Sequence, residues 1–188
     1  AIDYYTRSLK IREELGDKNG IAMSLNNIGI IYKVQGDYAK AIDYYTRSLK
    51  IYEEIGDKRG IAFSLNNIGL IYKDQGDYTK GIDYFTKSLK IDEELGNKKG
   101  IAMSLNNIGS IYLDQCDYAK AIDYHTRSLK IKEELGDKKG IAASLNNIGI
   151  IYQEEGDYAK AIEYYTKSLK IQEEIGNKNG IAGSLGNI

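Results

Sequence analysis

The sequence contains no proline, no tryptophan, one cysteine and one histidine. A single cysteine excludes an internal disulfide and any metal site built from several cysteines, and it is typical of a reducing compartment such as the cytoplasm. The chain has 20 glycines but no proline, which is unusual for a loop-rich fold and expected where glycine only separates helices. We therefore expect a cytoplasmic protein in which glycines mark the helix ends.

Neither sign of charge prevails, because 26 basic and 27 acidic residues leave a net charge of -1. This balance removes the main electrostatic attraction for nucleic acid or for an anionic membrane. No apolar run approaches the roughly 20 residues that a membrane span needs. We expect neither nucleic acid nor membrane as a partner. Residue 1 already lies inside a helical pattern, so we also expect the natural start to be missing.

A repeat of 40 residues runs through the chain without insertion. The sequence Leu-Asn-Asn-Ile-Gly at 25–29 returns at 65–69, 105–109 and 145–149. Such a fixed period is the signature of a repeat architecture, in which each unit buries its apolar face against its neighbours. We divide the chain into full repeats at 18–57, 58–97, 98–137 and 138–177, with partial repeats at 1–17 and 178–188.

Two helical patterns alternate within each period. In the first, Leu25, Ile28 and Tyr32 fall at positions i, i+3 and i+7, which places them on one face of a helix. The second pattern, from Tyr38 to Leu49, has the same spacing. Neither pattern alternates with period two, so strands are disfavoured.

The predicted helix ends have local causes. Gly36 interrupts the first pattern, the carboxylate of Asp37 can cap the second, and Gly56 can take the left-handed conformation that closes it. We expect helices at 18–35, 38–55, 58–75, 78–95, 98–115, 118–135, 138–155 and 158–175, with partial helices at 1–15 and 178–188.

The repeat resembles the tetratricopeptide signature in the motif Leu25-x2-Ile28-Gly29-x2-Tyr32 followed by Ala41-x3-Tyr45. Leucine stands where the family often has tryptophan, and the period is 40 instead of the usual 34 or so. The longer period looks most like the branch of Pins/LGN-type adaptors and, more loosely, kinesin light chains. The resemblance implies an all-α, right-handed superhelical solenoid of antiparallel helix pairs, with small residues at the closest approaches between helices: Gly29, Ala41 and Ser48.

No pattern in the sequence indicates catalysis. Pairs of glutamates recur five times at the ends of the second helices, beginning with Glu13-Glu14, and this repetition is typical of solvated helix ends. His125 stands where the other repeats have Tyr or Phe, so we expect a buried ring without a metal ion. Cys116 replaces a turn glycine, and nothing in the sequence indicates a redox role. We predict no enzyme activity, no metal site and no cofactor.

The resemblance also implies that the first helices line a concave groove. An asparagine pair in each first helix could satisfy polar groups between helices or hold the backbone of a ligand, and both readings stay open. Beside the pairs, the first helices carry a row of residues that varies from repeat to repeat and is partly apolar, which favours a selective groove. The alternative is unconstrained variation at the surface, which we expect at Arg12, Tyr52, Asp92, Lys132 and Gln172. We expect the ligand-binding residues to be Met23, Asn26, Asn27, Ile30, Lys33, Val34, Phe63, Asn66, Asn67, Leu70, Lys73, Asp74, Met103, Asn106, Asn107, Ser110, Asp114, Asn146, Asn147, Ile150 and Glu154.

These expectations lead to a scaffold that binds a protein partner, as an extended peptide or an amphipathic helix, in its groove. Only Lys33 and Lys73 are well placed as cations there, so we expect no clamp for a terminal carboxylate. The alternative is a structural or self-assembling array, natural or designed, with no separate ligand. In that case the chain ends would associate head to tail, with helix 178–188 of one copy beside helix 1–15 of the next.

Overall fold

A computed structural model describes residues 2–188. Over these residues the protein consists of α-helices joined by short turns, and no strand is present. The helices are α1 (Ile2–Leu15), α2 (Lys18–Val34), α3 (Tyr38–Ile55), α4 (Lys58–Asp74), α5 (Tyr78–Glu94), α6 (Lys98–Asp114), α7 (Tyr118–Glu134), α8 (Lys138–Glu155), α9 (Tyr158–Glu174) and α10 (Lys178–Asn187). Even-numbered helices carry the first pattern of the repeat and are called first helices below; odd-numbered helices are second helices.

Each first helix packs antiparallel against the second helix that follows it. In the pair α2–α3 the ring of Tyr32 stacks on that of Tyr44, with centroids 5.4 Å apart. At the other end of the pair, Lys18 Nζ lies 3.2 Å from a carboxylate oxygen of Glu54. Because the residue numbers fall along one helix as they rise along the other, the two helices run in opposite directions. Both contacts return in α4–α5, α6–α7 and α8–α9.

Small residues allow the two helices of a pair to lie close together. A Cβ atom at Gly29 would lie only 2.6 Å from Cε1 of Tyr45, so the ring occupies the space that any other residue would fill. Ser48 and Ala41 are fully buried, and Ser48 Oγ donates a hydrogen bond of 2.7 Å to the carbonyl oxygen of Ala22. The sequence predicted this role for the small residues, and the structure confirms it.

The chain divides into two compact units, Ala1–Gly96 and Asn97–Ile188. Within each unit neighbouring first helices lie side by side and parallel. In unit 1 the amide nitrogen of Asn26 donates to Ser64 Oγ at 3.1 Å, which links α2 to α4. In unit 2 the amide nitrogen of Asn147 donates to the amide oxygen of Asn106 at 3.3 Å, which links α8 to α6. Together with the antiparallel pairs, these contacts confirm the predicted all-α repeat fold.

The helix ends agree with the expected boundaries to within two residues. Asp37 accepts a hydrogen bond of 3.2 Å from the backbone N–H of Lys40 and so caps α3. The Lys40 ammonium and this N–H hold the pKa of the Asp37 carboxyl below its usual range. Gly56 has a φ of 70° and closes the same helix in the left-handed conformation. The predicted cap and the predicted closing glycine are both confirmed.

Cys116 is the one described residue other than glycine with a positive φ, which is 58°. Glycines hold the equivalent turns at positions 36, 76 and 156. The side chain of Cys116 is exposed. The left-handed conformation costs an L-residue about 1–2 kcal/mol.

Replacing Cys116 with glycine should therefore raise the free energy of unfolding by about 1 kcal/mol, since glycine relieves the strain but loses more entropy on folding. Denaturant titration of both proteins measures the difference. The reverse change, Gly76→Cys, should lower stability by a similar amount. Equal stability of the wild type and both variants would show that the turn stores no strain.

Burial of its phenol raises the pKa of Tyr45 to about 12. The unfolded chain, with an ordinary pKa near 10, loses this proton first as the pH rises. The contribution of Tyr45 to stability is thus fully present below about pH 10 and is lost between about pH 10 and 12. Tyr45→Phe removes the titrating phenol, so the free energy of unfolding should fall less between about pH 9 and 11.5 than it does in the wild type. Phe85→Tyr, at the equivalent position, should make this fall larger, and an unchanged alkaline profile in both variants would contradict the assignment.

Candidate functional site

Neighbouring first helices enclose a pocket whose floor is formed by the second helix between them. Pockets of this kind lie within both units, and each is named here after its floor residue. The Tyr52 pocket lies between α2 and α4 and has a volume of about 440 Å³. The Lys132 pocket lies between α6 and α8, with about 370 Å³, and the Gln172 pocket lies between α8 and α10, with about 290 Å³.

The pocket walls combine two of the sets predicted from the sequence. Met23 of α2 and Phe63 of α4 both line the Tyr52 pocket and are 49% and 44% exposed, so their apolar surface is open to a ligand. Met103 has the same place in the Lys132 pocket. Asparagine side chains complete these walls: Asn26 and Asn27 in the first pocket, Asn106 and Asn147 in the second, and Asn146 in the Gln172 pocket.

None of the other predicted positions lines one of the three pockets, and all of them except Asn66, Asn67 and Asn107 lie farther along the first helices. Lys33 and Asp74 form an ion pair of 3.2 Å between α2 and α4. Val34 is 82% exposed and Ile30 is also exposed. Of the remaining members, Asp114 and Glu154 are exposed, while Leu70, Lys73, Ser110 and Ile150 are partly buried.

Asn26 lines the Tyr52 pocket but is almost completely buried, so the geometry does not favour its predicted contact with a ligand. The side chain is 2% exposed, and its amide nitrogen donates to Ser48 Oγ at 2.7 Å and to Ser64 Oγ at 3.1 Å. It thereby joins α2, α3 and α4. Asn66 is equally buried. For Asn26 the hydrogen bonds to two serines support the interhelical reading of the asparagine pair.

The second members of the asparagine pairs connect neighbouring first helices. In unit 2 the amide nitrogen of Asn147 donates to Asn106 Oδ1 at 3.3 Å, and that of Asn187 donates to Asn146 Oδ1 at 2.9 Å. At the matching place in unit 1, Asn26 Oδ1 and Asn67 Nδ2 are buried without a hydrogen-bond partner. Asn27 and Asn107 are only partly buried. The amide-to-amide hydrogen bond between neighbouring first helices is thus formed in unit 2 and is not formed between Asn67 and Asn26 in unit 1.

The floor residues were expected to drift on the surface, and this expectation is wrong. Tyr52, Asp92 and Gln172 are buried, and Lys132 is partly buried. Arg12, the first member of the row, donates to the backbone oxygen of Gly20. The sequence signal for this burial is the glycine that recurs near the start of each first helix, at positions 20, 60, 100, 140 and 180. A Cβ atom at Gly60 would collide with the Tyr52 ring, so the glycine makes room for the floor residue.

The expectation that Lys33 and Lys73 are the only well-placed cations is also wrong. Lys99 and Lys132 line one pocket, and Arg59 lines another. Sequence spacing could not reveal these side chains, because they reach the pockets from the helix start or from the second helix.

The glutamate pairs take part in ion pairs, and the single histidine takes part in packing. Second glutamates of the pairs, such as Glu54 and Glu94, are exposed and bind lysines of the neighbouring first helix. The His125 ring is buried against Gly109, as Tyr45 is against Gly29. Within residues 2–188 no group of three or more His, Cys, Asp or Glu side chains is arranged to hold a metal ion. In the same range no helix has both the length and the apolar character needed to cross a membrane.

We expect Asn26→Ala to lower the free energy of unfolding by about 1–3 kcal/mol, because it removes the buried amide that bonds two serines. Asn27→Ala is the matched control: it removes the neighbouring, partly exposed amide and should be neutral or stabilise by about 0.5 kcal/mol, since alanine has the higher helix propensity. Thermal and denaturant unfolding measure both. Equal losses in the two variants would refute the interhelical assignment of Asn26.

Comparison with known proteins agrees with this architecture. The family model described as tetratricopeptide repeat matches residues 1–54, 60–134, 100–174 and 140–188. No curated protein sequence matches the chain. Aspartyl phosphate phosphatase F from Bacillus subtilis is similar in structure over 97% of this chain and 48% of its own, with 20% identity and a TM-score of 0.90.

Two further solved structures have the same fold. BtubC (BKLC) from P. vanneervenii is 24% identical over 92% of this chain and 72% of its own, with a TM-score of 0.80. A Rap protein complexed with Competence and Sporulation Factor is 22% identical over 97% of this chain and 51% of its own, with a TM-score of 0.86. The chain therefore spans about half of the phosphatase and of the Rap protein. Since the family model covers nearly the whole chain, the protein belongs to the tetratricopeptide repeat family.

Proposed function

We propose that the protein is an interaction module that binds a protein segment, as an extended peptide or an amphipathic helix, along the first helices. The observation that carries this proposal is that each unit has pockets of this kind between neighbouring first helices. Their walls hold exposed apolar side chains at Met23, Phe63 and Met103. Apolar surface open to solvent and grouped in a concavity is typical of a binding site.

Polar groups beside these apolar walls suit a peptide backbone. Asn27 and Asn147 are partly exposed at the pocket walls, and an amide side chain offers both a donor and an acceptor. Because Asn26 and Asn66 are buried, we restrict the ligand contacts proposed for the asparagines to the partly exposed members. In unit 1, Ile30, Val34 and Leu70 add apolar surface farther along the first helices, and Ile150 does so in unit 2. These side chains would contact a longer ligand.

The solved Rap complex supports this proposal, because a protein of the same fold holds Competence and Sporulation Factor. We assign no catalytic step to the chain; its likeness to a phosphatase at 20% identity concerns the fold. The likeness to Pins/LGN-type adaptors and kinesin light chains, the cytoplasmic location and the head-to-tail association of chain ends stay predictions from the sequence.

Selection from a phage-displayed library of random peptides tests the proposal, with replacements on the two faces compared. Peptides that bind the wild type should lose affinity by about tenfold or more with Phe63→Lys or Met103→Lys, because each change places a charge in an apolar wall. Thr46→Lys and Thr126→Lys add the same charge on the exposed side of the second helices and should change affinity by less than about twofold.

The four variants carry exposed replacements, so circular dichroism and melting should be the same as for the wild type. Equal losses of affinity on both faces would place the ligand elsewhere. A library that yields no specific peptide would favour the alternative of an array without a separate ligand.

A further inference from the structure

The three pockets share their architecture but differ in the chemistry of the floor. The floor residue is a phenol in the Tyr52 pocket, an ammonium in the Lys132 pocket and an amide in the Gln172 pocket. The glycines and serines around these positions recur in every repeat. The floor residue is therefore a position at which one repeat can differ from the next without a change in the packing of the helices.

The Lys132 pocket is the one whose lining carries a net positive charge. Lys99 and Lys132 contribute two ammonium groups, against the single carboxylate of Asp137. In the Tyr52 pocket, by contrast, the charges of Asp57 and Arg59 cancel. No ionisable acid or base lines the Gln172 pocket. Only one of the three pockets is thus electrostatically suited to an anion.

The ammonium of Lys132 has few partners within residues 2–188. Its Nζ donates to Ser144 Oγ at 2.7 Å, and no carboxylate forms an ion pair with it. Burial lowers the pKa of Lys132, and the charge of Asp137 opposes that effect. Asp137 itself is occupied in capping α8, where it accepts the backbone N–H of Gly140 at 2.9 Å. An ammonium can donate three hydrogen bonds, so the group retains capacity for a charged acceptor.

We infer that the Lys132 pocket binds an acidic side chain, Asp or Glu, of the bound peptide and so gives the module its charge specificity. The carboxylate accepts from Lys132 Nζ at the floor, Lys99 contributes positive charge from the rim, and the apolar stem of the side chain packs on Met103 and Ala143. This inference rests on the proposed function, because it names the ligand group that one of the proposed pockets selects.

The test uses random twelve-residue peptides displayed on phage and joined through their C-terminus, so that no free terminal carboxylate is present. The library is selected on the wild type, on Lys132→Gln and on Lys130→Gln. Glutamine stands at the equivalent position 172, so Lys132→Gln should fold. Lys130 is exposed on the same helix and provides a control for the loss of one charge. Enrichment of an acidic residue at one peptide position is expected with the wild type and with Lys130→Gln, and it should disappear with Lys132→Gln.

A selected peptide is then made with an amidated end, together with its Glu→Gln or Asp→Asn counterpart. The wild type should bind the acidic peptide about tenfold or more tightly than the neutral one, as expected for a charge-assisted hydrogen bond in a partly buried site. Lys132→Gln should bind the two within about twofold, while Lys132→Arg, which keeps the charge, should retain a preference for the acidic peptide.

The possible failures are distinguishable. If no peptide is enriched on any of the proteins, the proposed function itself is contradicted and the inference fails with it. If peptides are enriched without an acidic position, or if the acidic preference survives Lys132→Gln, the binding function stands and the assignment of the Lys132 pocket is overturned.

Discussion

The distance between the two helices of a pair is the constraint on which the other features depend. At Gly69 a Cβ atom would lie 2.7 Å from Cε1 of the Phe85 ring, so only glycine lets the ring reach the first helix. Ser88 Oγ fixes the same approach with a hydrogen bond of 2.9 Å to the carbonyl oxygen of Ala62. In a densely packed interior a side chain at this glycine would force the helices apart. The ring itself varies among Tyr, Phe and His, while the glycine recurs.

This spacing produces the pockets. When the pairs are held close, the side chain at position 52 or 132 of a second helix reaches between neighbouring first helices and forms a floor. The residues that pack the helix pairs together and the residues that line the pockets therefore lie on the same helices but have different roles. Walls and floors can change in size and charge while the packing of the pairs remains the same, and a family of similar repeats can present different surfaces to a partner.

The sequence predicted the helices, their caps and the close packing of small residues, because those features depend on local patterns and on one period. It could not decide which member of an asparagine pair is buried. Asn26 and Asn27 are neighbours at the edge of the packed face, and the register between α2 and α4 places the first of them between serines. The residue type at positions 52 and 132 varies from repeat to repeat, which predicts exposed side chains. In the structure, Tyr52 and Lys132 instead pack on glycines of the next first helix. Contacts between repeats depend on stacking geometry, which a helical period does not specify.

A structure of the protein bound to a peptide selected for affinity is the most direct measurement of the central claim. We expect the peptide to lie along the first helices of a unit. Its side chains should enter the Tyr52 pocket beside Met23 and Phe63, or the Lys132 pocket beside Met103. Asn26 should keep its bonds to Ser48 and Ser64 in the complex. A peptide bound instead along the outer side of the second helices, against Thr46 or Thr126, with the pockets unoccupied, would contradict the account.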